Sequence, residues 1–303
     1  MKRYKDIPGD AGSDILGQVA AHMARLQARL ETVDQVLVVM SGKGGVGKSA
    51  LTANLAAAFA RQGSRVGVLD GDLNGPCVAR MVGAGEGRPK LGAAAAQPAV
   101  GALGIKVMSM HLLLSDASTP VVWKAPTQDD AQVWRGTLEV NVLRQLLTDT
   151  EWGDLDLLLV DLPPGPERLP SIAALLPSSS GALAITIPSP SSHMVVAKSL
   201  ALAGELGSVP VIGLLENMAP APCPHCGHSI TFFPSGQSSE SLAADLSVPF
   251  LGRIPFDPRI PSTLDRGIPF VTEHPDTPAA KAIDEIAELL RHRLGLATTG
   301  GEA

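Results

Sequence analysis

The chain has 303 residues, of which 45% are hydrophobic and only 3% aromatic, and its formal net charge is −6. This length allows one large α/β domain or two small ones, with a core built from Ala, Val, Leu and Ile. The negative charge argues against a dedicated nucleic-acid surface, and no apolar run is long enough to span a membrane. The first residues, "MKRYKDIPGDAGS", lack the apolar core of a signal peptide. Three cysteines do not suit a disulfide framework. We therefore expect a cytoplasmic globular protein that binds neither membranes nor nucleic acids.

The first 35 residues are predicted to form a leader that contains one amphipathic helix. Ser13 is a suitable N-cap for a helix over residues 13–33. Apolar residues follow at helical spacing, at Ile15, Val19, Met23, Leu26, Leu30 and Val33. Since apolar helix faces are generally buried, we expect this helix to pack on the domain that follows.

Residues 36–297 are predicted to form one α/β domain, with a doubly wound, mainly parallel sheet that has helices on both faces. Short apolar runs alternate with helical patterns, which is typical of buried parallel strands joined by crossover helices. The predicted strands are residues 36–40, 65–70, 103–110, 155–162, 181–188 and 209–217. The segment 83–101 is rich in Gly, Ala and Pro and is predicted to be irregular.

The last predicted element is a helix over residues 277–294. Thr277 is its expected N-cap and Pro278 its first helical residue. Its apolar face is expected to dock on the sheet through Ile283, Ile286, Leu290 and Leu294. Residues 298–303 are expected to form a frayed tail.

A glycine-rich segment between the first predicted strand and a helix has the spacing of a phosphate-binding loop. Residues Gly42 to Ser49 fit the pattern G-x-x-x-x-G-K-[ST]. Glycines allow backbone N–H groups to converge on phosphate oxygens, and the following helix adds its positive N-terminal end. Lys48 is expected to reach the β- and γ-phosphates and Ser49 to hold Mg²⁺. The predicted nucleotide-binding set is Gly42, Lys43, Gly44, Gly45, Val46, Gly47, Lys48, Ser49 and Ala50.

Acidic residues stand at the ends of two other predicted strands. Asp70 and Asp72 follow one strand, and Asp161 ends another after a run of apolar residues. Open α/β sheets place their ligands at this edge. Asp161 is therefore predicted to hold Mg²⁺ or its waters beside the phosphate loop.

Two cysteines, Cys223 and Cys226, form a C-x-x-C pair in the segment "APCPHCGHSITFF". This spacing lets two thiolates bind one metal centre from a tight turn. Alone, the pair fits a redox dithiol, half of a zinc site or part of an iron–sulfur site. His225 and His228 would also allow a Cys/Cys/His zinc site within one chain. Thioredoxin-like chemistry is less favoured, because the pair follows a loop and does not open a helix.

The string "KGGVGKS" resembles the deviant Walker A motif of the ParA/MinD/Mrp class of P-loop ATPases. In that class the early lysine, here Lys43, reaches the nucleotide of the other subunit, which implies a homodimer. A cation there offsets charge on the transferring phosphates. By the same resemblance, Asp72 is the switch aspartate that orients the attacking water, and Asn217 contacts the adenine. Lys43, Lys48 and Asp72 are thus the predicted catalytic residues, and ATP is favoured over GTP.

Further segments, in order, resemble the Mrp/Nbp-type iron–sulfur carrier ATPases over about residues 36 to 275. They are "SGKGGVGKS", "DGDLNGP", "VWRGTLEVNVLRQLLTDTEWGDLDLLLVDLPPG", "VPVIGLLENM", "CPHCG" and "VPFLGRIPFDPRI". In that family the C-x-x-C pairs of two subunits hold one bridging [4Fe–4S] cluster. The resemblance implies an ATP-hydrolysing carrier that works with a cluster-assembly scaffold and delivers the cluster to apo-proteins.

The chain departs from that family in several places. Pro166, Glu167 and Arg168 replace the usual Thr-Gly-Asp, so the rate of hydrolysis is open to question. Residues 115–133 look like an insertion. Cys77 stands where serine is usual, and we interpret it as a small, partly buried residue.

Two other functions compete with the carrier. A positioning ATPase of the ParA/MinD type shares the P-loop and Lys43 but leaves the cysteine pair unexplained. A zinc-bound nucleotide switch or scaffold with weak hydrolysis would explain the cysteines without a cluster.

Overall fold

The computed structural model of the protein describes residues 15–92, 95–114, 128–165, 169–176, 181–207, 209–223, 225–233 and 236–297. Several predictions fall outside these residues. They are the N-cap at Ser13, the side chains of Ile15 and Val19, the segment Pro166 to Arg168, the insertion at 115–133 except the backbone from Gln128, and the tail at 298–303.

The described helices cover both faces of the sheet. They are α1 (Ile15–Leu30), α2 (Lys48–Arg61), α3 (Val78–Met81), α4 (Met110–Leu113), α5 (Gln128–Asp149), α6 (Leu169–Ala173), α7 (Pro190–Leu206), α8 (Ser239–Asp245), α9 (Arg259–Asp265), α10 (Phe270–Glu273) and α11 (Pro278–Leu294). No helix among the described residues is both long and apolar enough to cross a membrane.

The described strands form one large sheet and two short hairpins. They are β1 (Val33–Ser41), β2 (Val66–Asp70), β3 (Lys90–Leu91), β4 (Ala96–Gln97), β5 (Ala99–Val100), β6 (Lys106–Ser109), β7 (Leu155–Asp161), β8 (Gly181–Thr186), β9 (Val211–Ala219), β10 (Ala221–Pro222), β11 (Ser229–Ile230) and β12 (Phe250–Pro255). In the part of the chain described, the large sheet has eight strands in the order β12-β9-β8-β1-β7-β2-β6-β5. Its strand pairs are parallel except for β5 with β6, whereas β3–β4 and β10–β11 form the hairpins.

The sheet separates two hydrophobic cores, because alternate residues of a strand point to opposite faces. On one face, Leu37 and Val39 of β1 pack with α2 and α11. On the other face, Val36 and Val38 pack with α1, α5 and α7. The doubly wound, mainly parallel α/β architecture predicted from the sequence is confirmed.

The helices at the two ends of the chain pack as predicted. Leu26 and Leu30 of α1 are buried in the core on one face of the sheet. In α11 the Thr277 hydroxyl accepts a hydrogen bond from the Ala280 N–H at 3.2 Å, so the predicted N-cap is confirmed. Its predicted apolar face is buried against the sheet at Ile283, Ile286, Leu290 and Leu294.

Several predicted boundaries were wrong. Val33 belongs to β1 and not to the first helix, so the strand begins before the predicted run at residue 36. The predicted strand 103–110 shrinks to Lys106–Ser109, because residues 102–104 form a 3₁₀ turn with Leu103 at φ 56°. The segment 83–101 is not wholly irregular, since it contributes β3, β4 and the edge strand β5.

Removing a buried leucine from the central strand β7 should destabilise the fold strongly. Leu159 is fully buried, so Leu159→Ala loses apolar contacts and leaves a cavity. We expect the free energy of unfolding to fall by about 2–5 kcal/mol, measured by urea denaturation. The matched control is Leu113→Ala, because Leu113 is 43% exposed, and its effect should stay within about 0.5 kcal/mol. Equal effects of the two substitutions would contradict this description of the core.

Candidate functional site

The glycine-rich loop leaves the carboxyl end of β1 and runs into α2, whose first residue is Lys48. Gly47 caps the helix in a left-handed conformation, with φ 81° and ψ 21°. Gly42 is confined differently, because a Cβ atom there would lie 2.5 Å from the backbone nitrogen of Val196 in α7. Glycine at these two positions therefore lets the loop turn and pack closely.

The loop lines an open cleft of about 230 Å³. Of the predicted nucleotide-binding residues, Lys43 through Ala50 line this cleft, and Asp72 borders it as well. Ser41, Met81 and Pro164 complete the wall. Backbone N–H groups at the start of a helix and a glycine loop make a site suited to phosphate groups. The structure thus brings the loop residues and Asp72 together at one edge of the sheet.

The carboxylate of Asp161 is the centre of the polar contacts beneath this cleft. It lies at the carboxyl end of β7 and is fully buried. The Lys48 Nζ lies 2.7 Å from Asp161 Oδ2, and the Ser49 hydroxyl donates to the same oxygen at 2.6 Å. The Thr52 hydroxyl donates to Asp161 Oδ1 at 2.7 Å. A hydroxyl and a carboxylate at this spacing are the oxygen ligands that Mg²⁺ takes beside phosphates, so these residues suit that ion.

Asp70, on the adjacent strand β2, is a second fully buried carboxyl group. Its Oδ2 accepts hydrogen bonds from the Val78 N–H at 3.0 Å and the Ser109 hydroxyl at 3.2 Å. Burial, followed by the nearby Asp161 carboxylate, raises the pKa of Asp70 to about 7. Two carboxylates at the ends of neighbouring strands disfavour each other's ionisation.

Asp72 lies in the turn that follows β2. Its Oδ1 accepts hydrogen bonds from the backbone N–H groups of Asn74, at 3.3 Å, and Gly75, at 3.1 Å. The backbone N–H of Asp72 itself donates to Asp70 Oδ1 at 3.3 Å. Asp70 therefore holds the turn that places Asp72 at the cleft.

Lys43 lies half-buried at the start of the loop and contacts α7 of its own chain. Its Nζ donates to the Ser191 hydroxyl at 3.0 Å. The Ser41 hydroxyl donates to the Lys43 carbonyl at 3.1 Å and holds the backbone there. The contact of this lysine with a second subunit stays a prediction.

Asn217, which was predicted to contact adenine, is buried near the end of β9. Its Nδ2 donates to the Val46 carbonyl of the loop at 2.9 Å. A Cβ atom at Gly47 would lie 2.4 Å from the same nitrogen. Asn217 is thus packed directly on the glycine-rich loop.

The cysteine pair lies at the tip of the β10–β11 hairpin, which follows β9 in the chain. The Cys223 N–H donates to the His228 carbonyl at 2.8 Å and the Gly227 N–H donates to the Cys223 carbonyl at 2.9 Å, so the turn is tight. Cys223 is partly exposed and Cys226 is exposed. Hydrogen bonds from the His225 and Cys226 N–H groups lower the pKa of the Cys223 thiol. Two accessible thiols therefore face outward from one turn.

The single-chain zinc site is not supported by this geometry. Within the described residues, no group of three or more His, Cys, Asp and Glu side chains is placed to hold a metal ion. His225 and His228 are both exposed on the hairpin. Within the described part of the chain, the cysteine pair therefore offers two candidate metal ligands.

Cys77 lies at the N-cap of α3, near the Ser49 hydroxyl. Burial, and then the Asp70 carboxylate, raises the pKa of its thiol to about 11. This agrees with the interpretation of Cys77 as a small, partly buried residue.

Two residues of the site were missed in the sequence. Thr52 stands one helical turn after Lys48, and this spacing alone could have shown that its hydroxyl faces the same strand end. Ser191, the partner of Lys43, is 148 residues away in the chain, and no local pattern indicates it.

The fold and the loop define a nucleotide-binding P-loop NTPase, and the comparison with known families identifies which one. The sequence model of the ParA family described as "NUBPL iron-transfer P-loop NTPase" matches residues 32–131 and 125–291. The chain belongs to this family of iron-transfer P-loop NTPases.

Curated relatives and a solved structure agree with this assignment. An iron-sulfur cluster carrier protein of Methanocaldococcus jannaschii is 40% identical over 255 residues, which span 84% of this chain and 83% of that protein. The cytosolic Fe-S cluster assembly factor NUBP2 of Bos taurus is 38% identical over 264 residues, or 86% of this chain and 93% of that one. The nucleotide-binding protein of Archaeoglobus fulgidus, solved in complex with ADP, is 33% identical with a TM-score of 0.66, covering 81% of this chain and 91% of that chain. The resemblance predicted from the sequence is confirmed.

The raised pKa of Asp70 predicts a loss of stability as the pH rises. The folded chain retains a proton on Asp70 up to about pH 7, whereas the unfolded chain releases it near pH 4. The folded state therefore binds more protons in this window, and the free energy of unfolding should fall by about 2–4 kcal/mol between pH 4 and pH 8 from this group.

Urea denaturation of the nucleotide-free protein at several pH values measures this loss. Asp70→Asn should show a flatter decline over the same range. An unchanged pH slope in Asp70→Asn would contradict the assignment of this proton.

Proposed function

We propose that the protein is an ATP-hydrolysing carrier that binds a bridging [4Fe–4S] cluster as a homodimer and delivers it to apo-proteins. One observation carries the proposal: the accessible Cys223–Cys226 hairpin directly follows the strand that packs on the glycine-rich loop. The names of the curated relatives support the cargo. A cluster-assembly scaffold supplies the cluster, and the cytoplasm is the compartment.

The number of thiols is the reason for a dimer. A [4Fe–4S] cluster takes four thiolate ligands, and each chain supplies Cys223 and Cys226. A second copy related by two-fold symmetry supplies the other two. The cluster is the cargo in this proposal, and the cysteines are the groups that release it.

The neighbourhood of Cys223 suits transfer to another protein. Cys223 lines a cavity of about 610 Å³ whose other walls are mostly apolar. Phe232 and Phe256 lie there with their ring centroids 4.4 Å apart. Apolar and aromatic surface is what the centre of a protein interface generally contains, so a receiving protein has a surface to contact beside the thiols.

The glycine-rich loop is the proposed ATP site. Lys48 and the loop N–H groups bind the phosphates, while Ser49 and Asp161 would hold Mg²⁺, which offsets the phosphate charge when bound. Asp72 orients the attacking water, and Asn217 contacts the adenine. The related protein solved with ADP supports a nucleotide at this loop.

In this proposal, Lys43 acts in catalysis at the nucleotide that the partner subunit binds. In this chain its ammonium group is hydrogen-bonded only to a neutral hydroxyl among the contacts described, that of Ser191. Exchanging that bond for a phosphate oxygen of the partner gains a charge-assisted hydrogen bond.

The two lysines of the loop should have separable effects. Lys48→Ala should weaken ATP binding at least about tenfold, because it removes a charged hydrogen-bond donor from the phosphates. Lys43→Ala should leave ATP affinity within about threefold and lower turnover at least about tenfold, because its role lies in the transition state across the dimer. Calorimetric titration and phosphate release measure the two quantities.

Lys198→Ala is the matched control, since it removes an exposed lysine from α7 without touching the loop. It should behave as the unmodified protein. Normal turnover and normal nucleotide-dependent dimerisation in Lys43→Ala would refute the role of Lys43 across the interface.

The cysteines should account for the whole cluster. Anaerobic reconstitution with iron and sulfide should give about four iron atoms per dimer and an oxygen-sensitive visible chromophore. Cys223→Ser and Cys226→Ser should each lose both, because two thiols of the dimer are then missing.

Cys77→Ser is the matched control, because it makes the same substitution at a cysteine outside the hairpin, at the N-cap of α3. It should keep the full cluster content. Bound zinc without an iron–sulfur chromophore, measured by metal analysis of the same samples, would overturn the proposal in favour of a zinc-bound switch.

A further inference from the structure

Strand β9 contains an irregularity between the glycine-rich loop and the cysteine hairpin. In its pairing with β12, Glu216 faces Arg253 and Ala219 faces Pro255. Two residues of β9, Asn217 and Met218, therefore stand opposite the single residue Ile254. This is a β-bulge, and bulges of this kind re-aim side chains near functional sites.

Met218 takes the left-handed conformation at this bulge, with φ 54°. For a residue with a side chain this conformation is strained and persists only where the surroundings impose it. Met218 is partly buried and packs on the core between the sheet and α2. The bulge is thus a strained element held by its packing.

The bulge touches the glycine-rich loop on one side. Asn217 is 6% exposed, and its Nδ2 donates to the Val46 carbonyl at 2.9 Å. The Cε of Met218 lies 3.5 Å from the position that a Cβ at Gly47 would take. Both residues of the bulge therefore lie against the residues of the loop that precede Lys48.

On the other side, the bulge leads directly to the cysteines. Ala219 is buried and its carbonyl accepts a hydrogen bond from the Phe256 N–H at 3.0 Å, which fixes the end of β9. Ala221 begins the hairpin, and Cys223 follows two residues later. Only a short segment separates Met218 from Cys223, so a rotation of the backbone at Met218 changes the position of Cys223.

We infer that Met218 is a positioning residue whose left-handed bulge couples the glycine-rich loop to the Cys223–Cys226 hairpin. A shift of Val46 and Gly47 when the loop closes on phosphates displaces the side chains of the bulge. The displaced bulge then moves the hairpin, which changes the solvent exposure of the two thiols. This inference rests on the proposed function, in which the hairpin holds the cargo and the loop binds ATP.

The test measures thiol reactivity without any cluster. It uses the Cys77→Ser chain, because Cys223 and Cys226 are then the two remaining cysteines and Cys77 adds no signal of its own. The rate of reaction of Cys223 and Cys226 with a chromogenic disulfide is measured with and without a magnesium complex of a non-hydrolysable ATP analogue. We expect the nucleotide to change this rate at least about threefold.

Met218→Gly should remove most of this effect, because it deletes the side chain that lies on Gly47 and makes the bulge easy to rearrange. We expect the nucleotide-dependent change to fall below about 1.5-fold while the affinity for the analogue stays within about twofold. Met218→Leu keeps a side chain of similar size and should retain the effect.

Ser247→Gly is the matched control. Ser247 also has a left-handed conformation, φ 55°, but it lies exposed in the turn after α8. Relieving strain there should leave the nucleotide effect on the thiols unchanged. Thermal melting of all variants shows whether each one is folded at the assay temperature.

Three results would overturn the inference. They are a nucleotide effect in Met218→Gly equal to that of the parent chain, the same loss in Ser247→Gly, and no nucleotide effect on the thiols of the parent chain. The outcome is independent of cluster chemistry, because failure of anaerobic reconstitution would refute the cargo while leaving a positive thiol result in place.

Discussion

The structure of the glycine-rich loop and its cleft depends on the buried carboxylate of Asp161. A buried charge is costly unless it is paired and hydrogen-bonded. Asp161 meets this requirement with one cation, Lys48, and two hydroxyls, Ser49 and Thr52, all from the first turns of α2. These contacts fix α2 against the end of β7, and with it the orientation of the glycine-rich loop. The order of strands β1, β7 and β2 then places Asp70 beside the same group.

This arrangement gives the two carboxyl groups at the same sheet edge, those of Asp161 and Asp70, different partners. Asp161 holds the only cation described in direct ion-pair contact with either group. Asp70 has neutral donors, an N–H and a hydroxyl, and it faces Asp161 across the β2–β7 register. Protonation of Asp70 therefore reduces the repulsion that ionisation of both groups would create. The neutral group then orders the turn to Asp72 by hydrogen bonding alone.

Most of the fold and the outline of the nucleotide site could be predicted from the sequence because they depend on local patterns. Continuous apolar runs identified β1, β2, β7, β8 and β9, and the spacing of Gly42 to Ser49 identified the loop. Short edge elements such as β5 could not be predicted, because their pairing comes from a neighbour and not from their own composition. The same holds for contacts between distant residues, such as Lys43 with Ser191 and Asn217 with Val46. The bulge at Met218 could not be predicted either, because methionine gives no signal for a left-handed backbone.

The glycine-rich loop and the cysteine hairpin differ in whether their side chains find all their partners within the described chain. The Asp161 carboxylate is paired with Lys48, Ser49 and Thr52 of the same chain. These contacts hold the glycine-rich loop in place without a partner. The hairpin is the opposite case, because its two thiols have no further metal ligands within the described residues. Lys43 is intermediate between these cases, because among the described residues its ammonium group is held by one neutral hydroxyl, that of Ser191, and that bond is readily exchanged. Under the proposed function, a second copy would supply the other two thiolate ligands and the nucleotide that Lys43 contacts.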